Sequence, residues 1–389
     1  MSGKPRIVYL VTEDWVFVSH RLPIARAARD AGFDVVVATR VADHGAAITA
    51  EGFTLVRLPW NRRSLNPFRE LTALLQLAAL YRRLKPTIVH HVAVKPALIG
   101  SLAAWIARVP NVVNAITGLG YVFSSTSPRA RLLRPIVRWG FRALLRRGTS
   151  KIIVQNPDDG AVLQRECAIE ADRITLIHGS GVDLDRFRAT PEPAGPAIRA
   201  TLASRMIWDK GIGDLVEAAR ILKTSGAPVT VILAGKPDPD NPASIPESQL
   251  RAWYDEGIVE WRGFVADMPG LWAASHIAVL PSFYGEGVPK CLIEAAAAAR
   301  PIVAADGPGL REIVRDGENG VLVPPHDAKA LADAIARLAG DAAARVRMGA
   351  AGRRLAETGF GDRQVAAATL ALYRSFTHGV PSSAERVAP

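Results

Sequence analysis

Residues 282–323 constrain the fold more tightly than any other stretch, because two glycine-rich turns there each lead into a helix within one ordered run. The apolar segment IAVLP (277–281) reads as a strand, and Gly285, Glu286, Gly287 and Val288 carry the chain to Pro289. Proline suits the first turn of a helix, where a missing N–H costs nothing, and this helix is expected to reach about Ala299. PIVAAD (301–306) reads as the next strand. Gly307, Pro308 and Gly309 turn it into LREIVRDG, and Asn319 and Gly320 close that helix into the strand VLV. Glycines on both sides of Glu286 let backbone approach a ligand, and the N–H groups of the following helix start attract a phosphate or sugar oxygen. Glu286 stands on the loop, while Glu294 lies just over one helical turn inside, so both can face one ligand at different depths. A carboxylate accepting two hydrogen bonds reads the vicinal hydroxyls of a ribose or hexose. A Glu in a first turn can equally serve only the helix dipole, and the immediate repeat of the glycine turn favours the ligand.

The rest of the 389 residues supplies two domains of about 180 residues each. In the first half RIVYLVT, FDVVVAT and TLVRLP alternate with helical LPIARAARDAG and AAITAEG, a repeating β-α-β pattern that predicts a doubly wound parallel sheet. Its strands are continuously apolar, as befits a sheet covered on both faces. No G-x-G-x-x-G follows the first strand, which argues against a dinucleotide oxidoreductase. The boundary is expected near residue 180, giving domains 1–180 and 181–365, with a final helix at 366–380 crossing back to the first domain. ATPEPAGP (189–196) reads as a Pro-rich, poorly ordered surface loop.

No segment reaches the roughly 18 to 20 unbroken apolar residues that span a bilayer, and MSGKPRIVYLV lacks a signal peptide's apolar region, so a cytoplasmic protein is expected. Cys167 and Cys291 are too few for a disulfide framework or zinc site and read as small buried hydrophobes. Of the net charge of +11, residues 1–180 carry all the excess, with 25 Lys and Arg against 12 Asp and Glu; the remainder has 23 against 25. The basic half suits a polyanion, either nucleic acid or an anionic membrane. PRARLLRPIVRWGFRALLRRGTSK (128–151) has eight cations and no acid. Leu132, Leu133, Ile136, Val137, Phe141, Leu144 and Leu145 form its apolar stripe, while Arg134, Arg138 and Arg142 step along another face beside Trp139. This pattern suits a helix in a membrane interface ahead of the alternative, one packed on its own sheet with a solvated basic side. Pro135 is expected to kink or split it.

Ligands of doubly wound sheets bind at the carboxyl ends of strands, which directs attention to a few residues. His20 and Arg21 precede Leu22-Pro23 at a helix start, where a cation and N–H groups together hold an anion. His90 and His91 adjoin Lys95-Pro96; neighbours on a strand face opposite ways, so only one can meet a ligand. TGLGYVF (117–123) offers Gly118, Gly120 and Tyr121. In the second domain Arg205 and Lys210 flank a strand-to-helix turn, a clamp for a leaving diphosphate. VTVILAG ends at Gly235, and the Asp238-Pro-Asp240 that follows matches a metal-binding D-x-D only formally, because it lies in a Pro-rich turn.

GEGVPKCLIEA followed by ARPIVAADGPGLREIVRDGENGVLV resembles the E-x7-E segment of the retaining glycosyltransferases of family 4, and GSGVDLDRF resembles that family's opening to its second domain. SHRLPIA, NRRSLNPF, HHVAVKP, TGLGYVF and MIWDKG look like the bacterial branch that extends polyprenyl-diphosphate-linked sugars, N-acetylgalactosaminyltransferases among them. The resemblance implies the α/β GT-B fold, two Rossmann-like domains facing across a cleft, with the acceptor on 1–180 and the nucleotide sugar on 181–365. It implies that Glu286 contacts the transferred sugar and Glu294 the nucleotide ribose, while Arg205 and Lys210 bind the diphosphate. Gly263, Phe264 and Val265 would read the uracil edge, and Gly235, Gly285, Gly287, Val288 and Pro289 would line the donor. His20, Arg21, His91, Lys95, Gly118, Gly120 and Tyr121 become acceptor-side candidates, and Arg134, Arg138, Trp139 and Arg142 membrane contacts. Many members of the family have a histidine in the loop matching 117–123, and this chain has none there.

The expected activity is retaining transfer of a hexose or N-acetylhexosamine from a UDP-sugar to a polyprenyl-diphosphate-linked saccharide, by front-face attack and without metal or cofactor. The expected place is the inner face of the cell membrane, held peripherally, with no nucleic-acid partner. The rival readings are a nucleotide-sugar epimerase of similar fold and a non-catalytic membrane or nucleic-acid adaptor.

Overall fold

The computed structural model describes residues 4–60, 66–120, 123, 128–283 and 285–377. The first sheet comprises β1 (Arg6–Glu13), β2 (Asp34–Arg40), β3 (Thr54–Arg57), β4 (Ile88–Val92), β5 (Asn111–Ile116), β6 (Lys151–Val154) and β7 (Ile174–Leu176). Between these strands lie α1 (Asp14–His20), α2 (Leu22–Asp30), α3 (Gly45–Ala50), α4 (Pro67–Leu84), α5 (Val94–Ala107), α6 (Pro128–Leu144) and α7 (Pro157–Cys167). The second sheet comprises β8 (Ile198–Ala203), β9 (Val229–Ala234), β10 (Glu260–Trp261), β11 (Ile277–Leu280), β12 (Ile302–Ala305) and β13 (Gly320–Val323). Its helices are α8 (Ile212–Thr224), α9 (Glu247–Asp255), α10 (Met268–Ala273), α11 (Lys290–Ala297), α12 (Pro308–Ile313), α13 (Ala328–Gly340) and α14 (Ala342–Gly359), and α15 (Asp362–Thr377) follows.

Both sheets are wholly parallel, in the orders β3-β2-β1-β4-β5-β6-β7 and β10-β9-β8-β11-β12-β13. In each the order reverses beside its first strand, which opens a crevice at the strands' carboxyl ends. Continuous apolar strands follow from helices on both faces: every residue of β4, β11 and β12 is buried. Helix α11 starts at Lys290, with Pro289 as the extended residue before it, one position later than the sequence suggested.

The last helix belongs to the first core. Val365, Ala366 and Tyr373 of α15 pack into the cluster that holds Tyr9, Phe17 and Ile24. The chain gets there through a backbone crossing at the junction, Val182 N–H to Phe360 O and Asp362 N–H to Val182 O, both 2.9 Å. Tyr373 is fully buried, and its hydroxyl lies 3.1 Å from the Tyr9 hydroxyl and 2.5 Å from His90 Nδ1. His91 is equally buried on the opposite face, 2.8 Å from Asn114 Oδ1 and 3.2 Å from the Tyr81 hydroxyl. The expectation that one of the two histidines, His91 in the first place, meets a ligand is therefore corrected: helices cover both faces of β4.

The fold also adds one element and changes three expectations. Residues 14–20 form a short helix, and the fully buried Asp14 carboxylate accepts from the N–H groups of Ala42 and His44, each 2.8 Å away, which ties α1 to the turn after β2. The 189–196 loop is anchored, not loose. Buried Arg300 donates to Thr190 O and Pro191 O, buried Arg345 pairs with Glu192 at 2.8 Å, and His276 Nε2 lies 3.2 Å from Pro193 O. Helix α6 runs through Pro135 as one element. Its apolar stripe divides: Val137, Phe141 and Leu145 are buried, whereas Leu132 (73%), Ile136 (62%) and Trp139 (72%) are exposed on the other side. Arg138 is held by Glu166 and Arg134 donates to Phe123 O at 3.1 Å, so the cationic row meant for lipid partly serves the protein itself.

Tyr373→Ala removes both the ring and the hydroxyl that join α15 to β1 and β4. The expected cost is about 3–5 kcal/mol, read as a lower denaturation midpoint with unchanged m-value. His91 gives a pH dependence. Burial pushes its pKa down to about 4 from the ordinary 6.5, so the unfolded chain takes up the proton first. The stabilisation, of order 2–3 kcal/mol, is complete above pH 6.5 and lost as pH falls towards 4. Urea titrations across that window should show a shallower fall for His91→Gln than for the natural chain.

Candidate active site

The centre of the site is built where β8 and β11 end side by side. Gly211 has φ +71°, and a Cβ there would stand 2.0 Å from Pro281 O, so only glycine lets the turn after β8 pass this close to the end of β11. That approach sets Lys210 Nζ 2.6 Å from Glu286 Oε2. The buried Ser282 hydroxyl lies 2.5 Å from Glu286 Oε1 and 3.1 Å from Asp209 O, so both carboxylate oxygens are held in place. Arg205 Nη1 lies 2.5 Å from Asp238 Oδ2, while Asp240 faces Arg40 of the first domain at 3.4 Å. The formal D-x-D thus serves two arginines. Among the described residues no group of three or more His, Cys, Asp or Glu stands together as a metal cage.

One helical turn deeper, Glu294 is buried, and desolvation raises its pKa despite the opposing charge of Lys290. Lys290 Nζ lies 3.9 Å from Glu294 Oε1 and donates across the cleft to Ser19 O. Burial pushes the Cys291 thiol up to about 12, so it stays protonated beside Lys210, Glu286 and Glu294. At the far end Gly235 N–H donates to Gly263 O at 2.6 Å, and a Cβ on Gly235 would stand 1.7 Å from Ser204 O. Gly263 (φ +62°) has open space before it, and Phe264 is exposed with the Lys236 ammonium 5.0 Å from its ring centroid. Val265 packs against the second core. These residues form an open shelf rather than a closed pocket.

The first domain closes over the glycine loop. Gly287 N–H donates to Thr117 O and Gly120 N–H to Gly285 O, both at 3.1 Å. Val288 N–H donates to Gln155 Oε1 at 3.1 Å, and Asn156 Nδ2 to Glu286 O at 3.3 Å. Gly118 has φ +115°, and a Cβ there would stand 2.7 Å from Gly285 O and from Gly287 N. On the other side, a Cβ on Gly309 would stand 1.7 Å from Gly287 O. The N–H groups of Gly287 and Val288, just ahead of the helix start, are thus taken by the protein. The glycines let backbone approach backbone, which leaves the Arg205, Lys210 and Lys290 side chains as the cations of the cleft.

On the acceptor side His20 reaches this centre. Its Nδ1 is hydrogen-bonded to Ser19 Oγ, and Trp15 meets it edge-on, with ring centroids 6.4 Å apart. Burial, then the charges of Lys290, Arg21 and Arg205, push its pKa down to about 3, so the ring is neutral near pH 7. Arg21 instead lies inside the first domain, with a buried Nε, beside Tyr9 and Tyr373, so the expectation of a helix-start anion site at Arg21 is corrected. Lys95 Nζ lies 2.8 Å from Glu70 Oε1, beside a groove of about 350 Å³ lined by Trp60, Phe68 and Gln76. Tyr121 lies outside the described residues. The sequence reading missed Ser282, Gln155, Asn156, Ser19 and Lys290; only the last carried a local signal, its i,i+4 spacing to Glu294.

Residues 6–156 match the "Glycosyl transferase 4-like" family and residues 198–341 the "Glycosyl transferases group 1" family. The chain is 25% identical to the N,N'-diacetylbacillosaminyl-diphospho-undecaprenol α-1,3-N-acetylgalactosaminyltransferase of Campylobacter jejuni, over 84% of this chain and 88% of that one. It is 24% identical to the UDP-Gal:α-D-GlcNAc-diphosphoundecaprenol α-1,3-galactosyltransferase of Escherichia coli, over 72% and 73%. Sucrose-phosphate synthase from Thermosynechococcus elongatus superposes with a TM-score of 0.78 at 22% identity, covering 97% of this chain and 100% of that one. HepE from Anabaena, solved with UDP-glucose, gives 0.75 at 19%, covering 95% and 99%. With a 4-like first domain and a group 1 second domain in the GT-B fold, the chain belongs to the glycosyltransferases.

Proposed function

We propose that this glycosyltransferase moves a hexose or N-acetylhexosamine, with retention, from a UDP-sugar to a polyprenyl-diphosphate-linked saccharide in surface polysaccharide or glycan assembly. The observation that carries the reading is the Lys210 Nζ to Glu286 Oε2 contact of 2.6 Å, with Arg205 at the same strand end. Each cation is held by a carboxylate that a diphosphate can displace. Arg205 and Lys210 then take the developing charge of the leaving UDP, Glu286 takes hydroxyls of the transferred sugar, and Glu294 takes those of the ribose. The acceptor oxygen bonds to the anomeric carbon on the face the phosphate leaves. The C–O bond to phosphate breaks, and the acceptor proton passes to the leaving phosphate oxygen. The reading needs no metal or cofactor, since side-chain cations supply the charge. The names of the Campylobacter and Escherichia relatives support the acceptor class, and the UDP-glucose bound by HepE supports the donor class.

The second part of the reading is peripheral attachment to the anionic inner face of the membrane, without nucleic acid. No helix among the described residues is long and apolar enough to cross a membrane. Leu132, Ile136 and Trp139 nevertheless stand outward on α6 beside exposed Arg131 and Arg142. Phe68, Leu71 and Leu75 do the same on α4. Apolar and cationic side chains together fit an interfacial layer, and each cation there contributes about 1 kcal/mol.

Mass spectrometry of polyprenyl-linked saccharides after incubation with a panel of UDP-sugars tests the transfer; no mass increment with any donor removes it, and release of a free altered sugar nucleotide favours the epimerase. Arg205→Ala and Lys210→Ala should each lower kcat by about 10²–10³, with UDP affinity changed far less. A change confined to KM contradicts the clamp. Ile136→Ser with Trp139→Ser should release the chain from phosphatidylglycerol vesicles, as should Arg131→Glu with Arg142→Glu, and UDP binding should survive in both. Unchanged sedimentation of both variants would rule out α6 as the contact.

A further inference from the structure

Lys290 joins the two halves of the site by side chain alone. It opens α11, four residues before Glu294, and its ammonium lies 3.9 Å from Glu294 Oε1. The same ammonium donates to the carbonyl oxygen of Ser19, a residue 271 positions earlier, on the other side of the cleft. Ser19 Oγ is hydrogen-bonded to His20 Nδ1. One continuous polar path therefore runs from Glu294 in the second domain through Lys290 and Ser19 to His20 in the first.

A lysine in this position is costly. Desolvation lowers its pKa, the charge of Glu294 only partly offsets this, and Arg186 adds repulsion. Packing alone does not require an ammonium here, since a methionine fills similar volume without the desolvation cost. The charge acts on its neighbour: the groups facing His20 are Lys290 from α11, Arg205 from the end of β8 and Arg21 next to it in sequence, all cationic, with the Val16 backbone carbonyl opposing them.

We propose that Lys290 is a positioning residue for glycosyl transfer: it fastens the Ser19–His20 corner to the helix that carries Glu294, so that His20 faces the acceptor hydroxyl across from Arg205 and Lys210. The proposal rests on the transfer reading and assigns it a residue that joins donor and acceptor sides. A ribose donating to Glu294 leaves Lys290 to Ser19, so the acceptor corner is tightest when the donor is bound. Displacements of about 1 Å at a reacting centre cost on the order of 10²-fold in rate, which is the scale of effect at stake.

The test uses the full chain and the variants Lys290→Met, Lys290→Gln and Lys290→Arg, each checked for fold by circular dichroism. NMR titration of the His20 ring with UDP present should give a midpoint of about 3 in the natural chain. Met or Gln should raise that midpoint by about one pH unit or more, because one of the three cations is gone, and Arg should restore it. In transfer assays the Met and Gln variants should lose about 10- to 100-fold in kcat with UDP affinity held within about twofold, and the acid limb of the kcat profile should move to higher pH. An unmoved His20 midpoint with unchanged kcat overturns the proposal. So does UDP affinity falling in step with kcat, since Lys290 would then act through the donor pocket alone. A natural chain that transfers no sugar while its His20 midpoint still responds to Lys290 removes the transfer reading and leaves the coupling supported.

Discussion

Backbone packed against backbone sets the geometry of this molecule. At Gly118 the first domain meets Gly285 and Gly287 of the second at a distance that excludes a Cβ, and Gly309 closes on Gly287 from the other side. Two inter-domain backbone hydrogen bonds of 3.1 Å hold the layers in register, and Gln155 and Asn156 add two from side chains. Because the backbone of residue 286 is pinned in this way, the Glu286 side chain has a fixed origin, and Lys210 and Ser282 need only orient its carboxylate. The width of the cleft and the aim of its central acid are thus one constraint.

The charges of the cleft are paired where they stand. Arg205 with Asp238, Lys210 with Glu286 and Lys290 near Glu294 place three cations around one space, each beside a carboxylate of the same domain. An unpaired charge in a partly desolvated cleft costs several kcal/mol, so such pairing keeps the cluster folded without a ligand. On the proposed reading, a diphosphate arriving there would exchange one anionic partner for another. The cations are already positioned, so such an exchange would need little reorganisation.

A second polar cluster lies inside the first domain and works differently. Tyr373 from α15 reaches Tyr9 on β1 and His90 on β4, with Arg21 close by. Hydrogen bonds among fully buried groups add little net stability, yet each group left without its partner bears the whole desolvation cost. The cluster therefore selects one seating of α15 against the sheet. Since α15 begins just after the crossing at Val182 and Phe360, that seating also fixes how the second domain hangs from the first.

Much of this was legible in the string of residues, because local physics writes it there. Continuous apolar strands alternating with helical segments specify parallel sheets covered on both faces, and the glycine turns at 285–287 and 307–309 mark where strand passes to helix. The spacing of Glu286 and Glu294, and of Arg205 and Lys210, places each pair at one strand end or one helix start. Partnership across the chain was not legible. Nothing near Lys290 points to Ser19, nothing near residue 118 says that its loop covers residues 285–287, and the stripe of α6 does not say which of its apolar residues turn inward. Nothing in the residues around Arg300 and Arg345 points to the 189–196 loop, and only the fold brings them to its carbonyls and carboxylate. Periodicity and turn chemistry act over a few residues and so are carried by sequence alone. Burial and pairing depend on which distant surfaces meet, and that the tertiary structure alone decided.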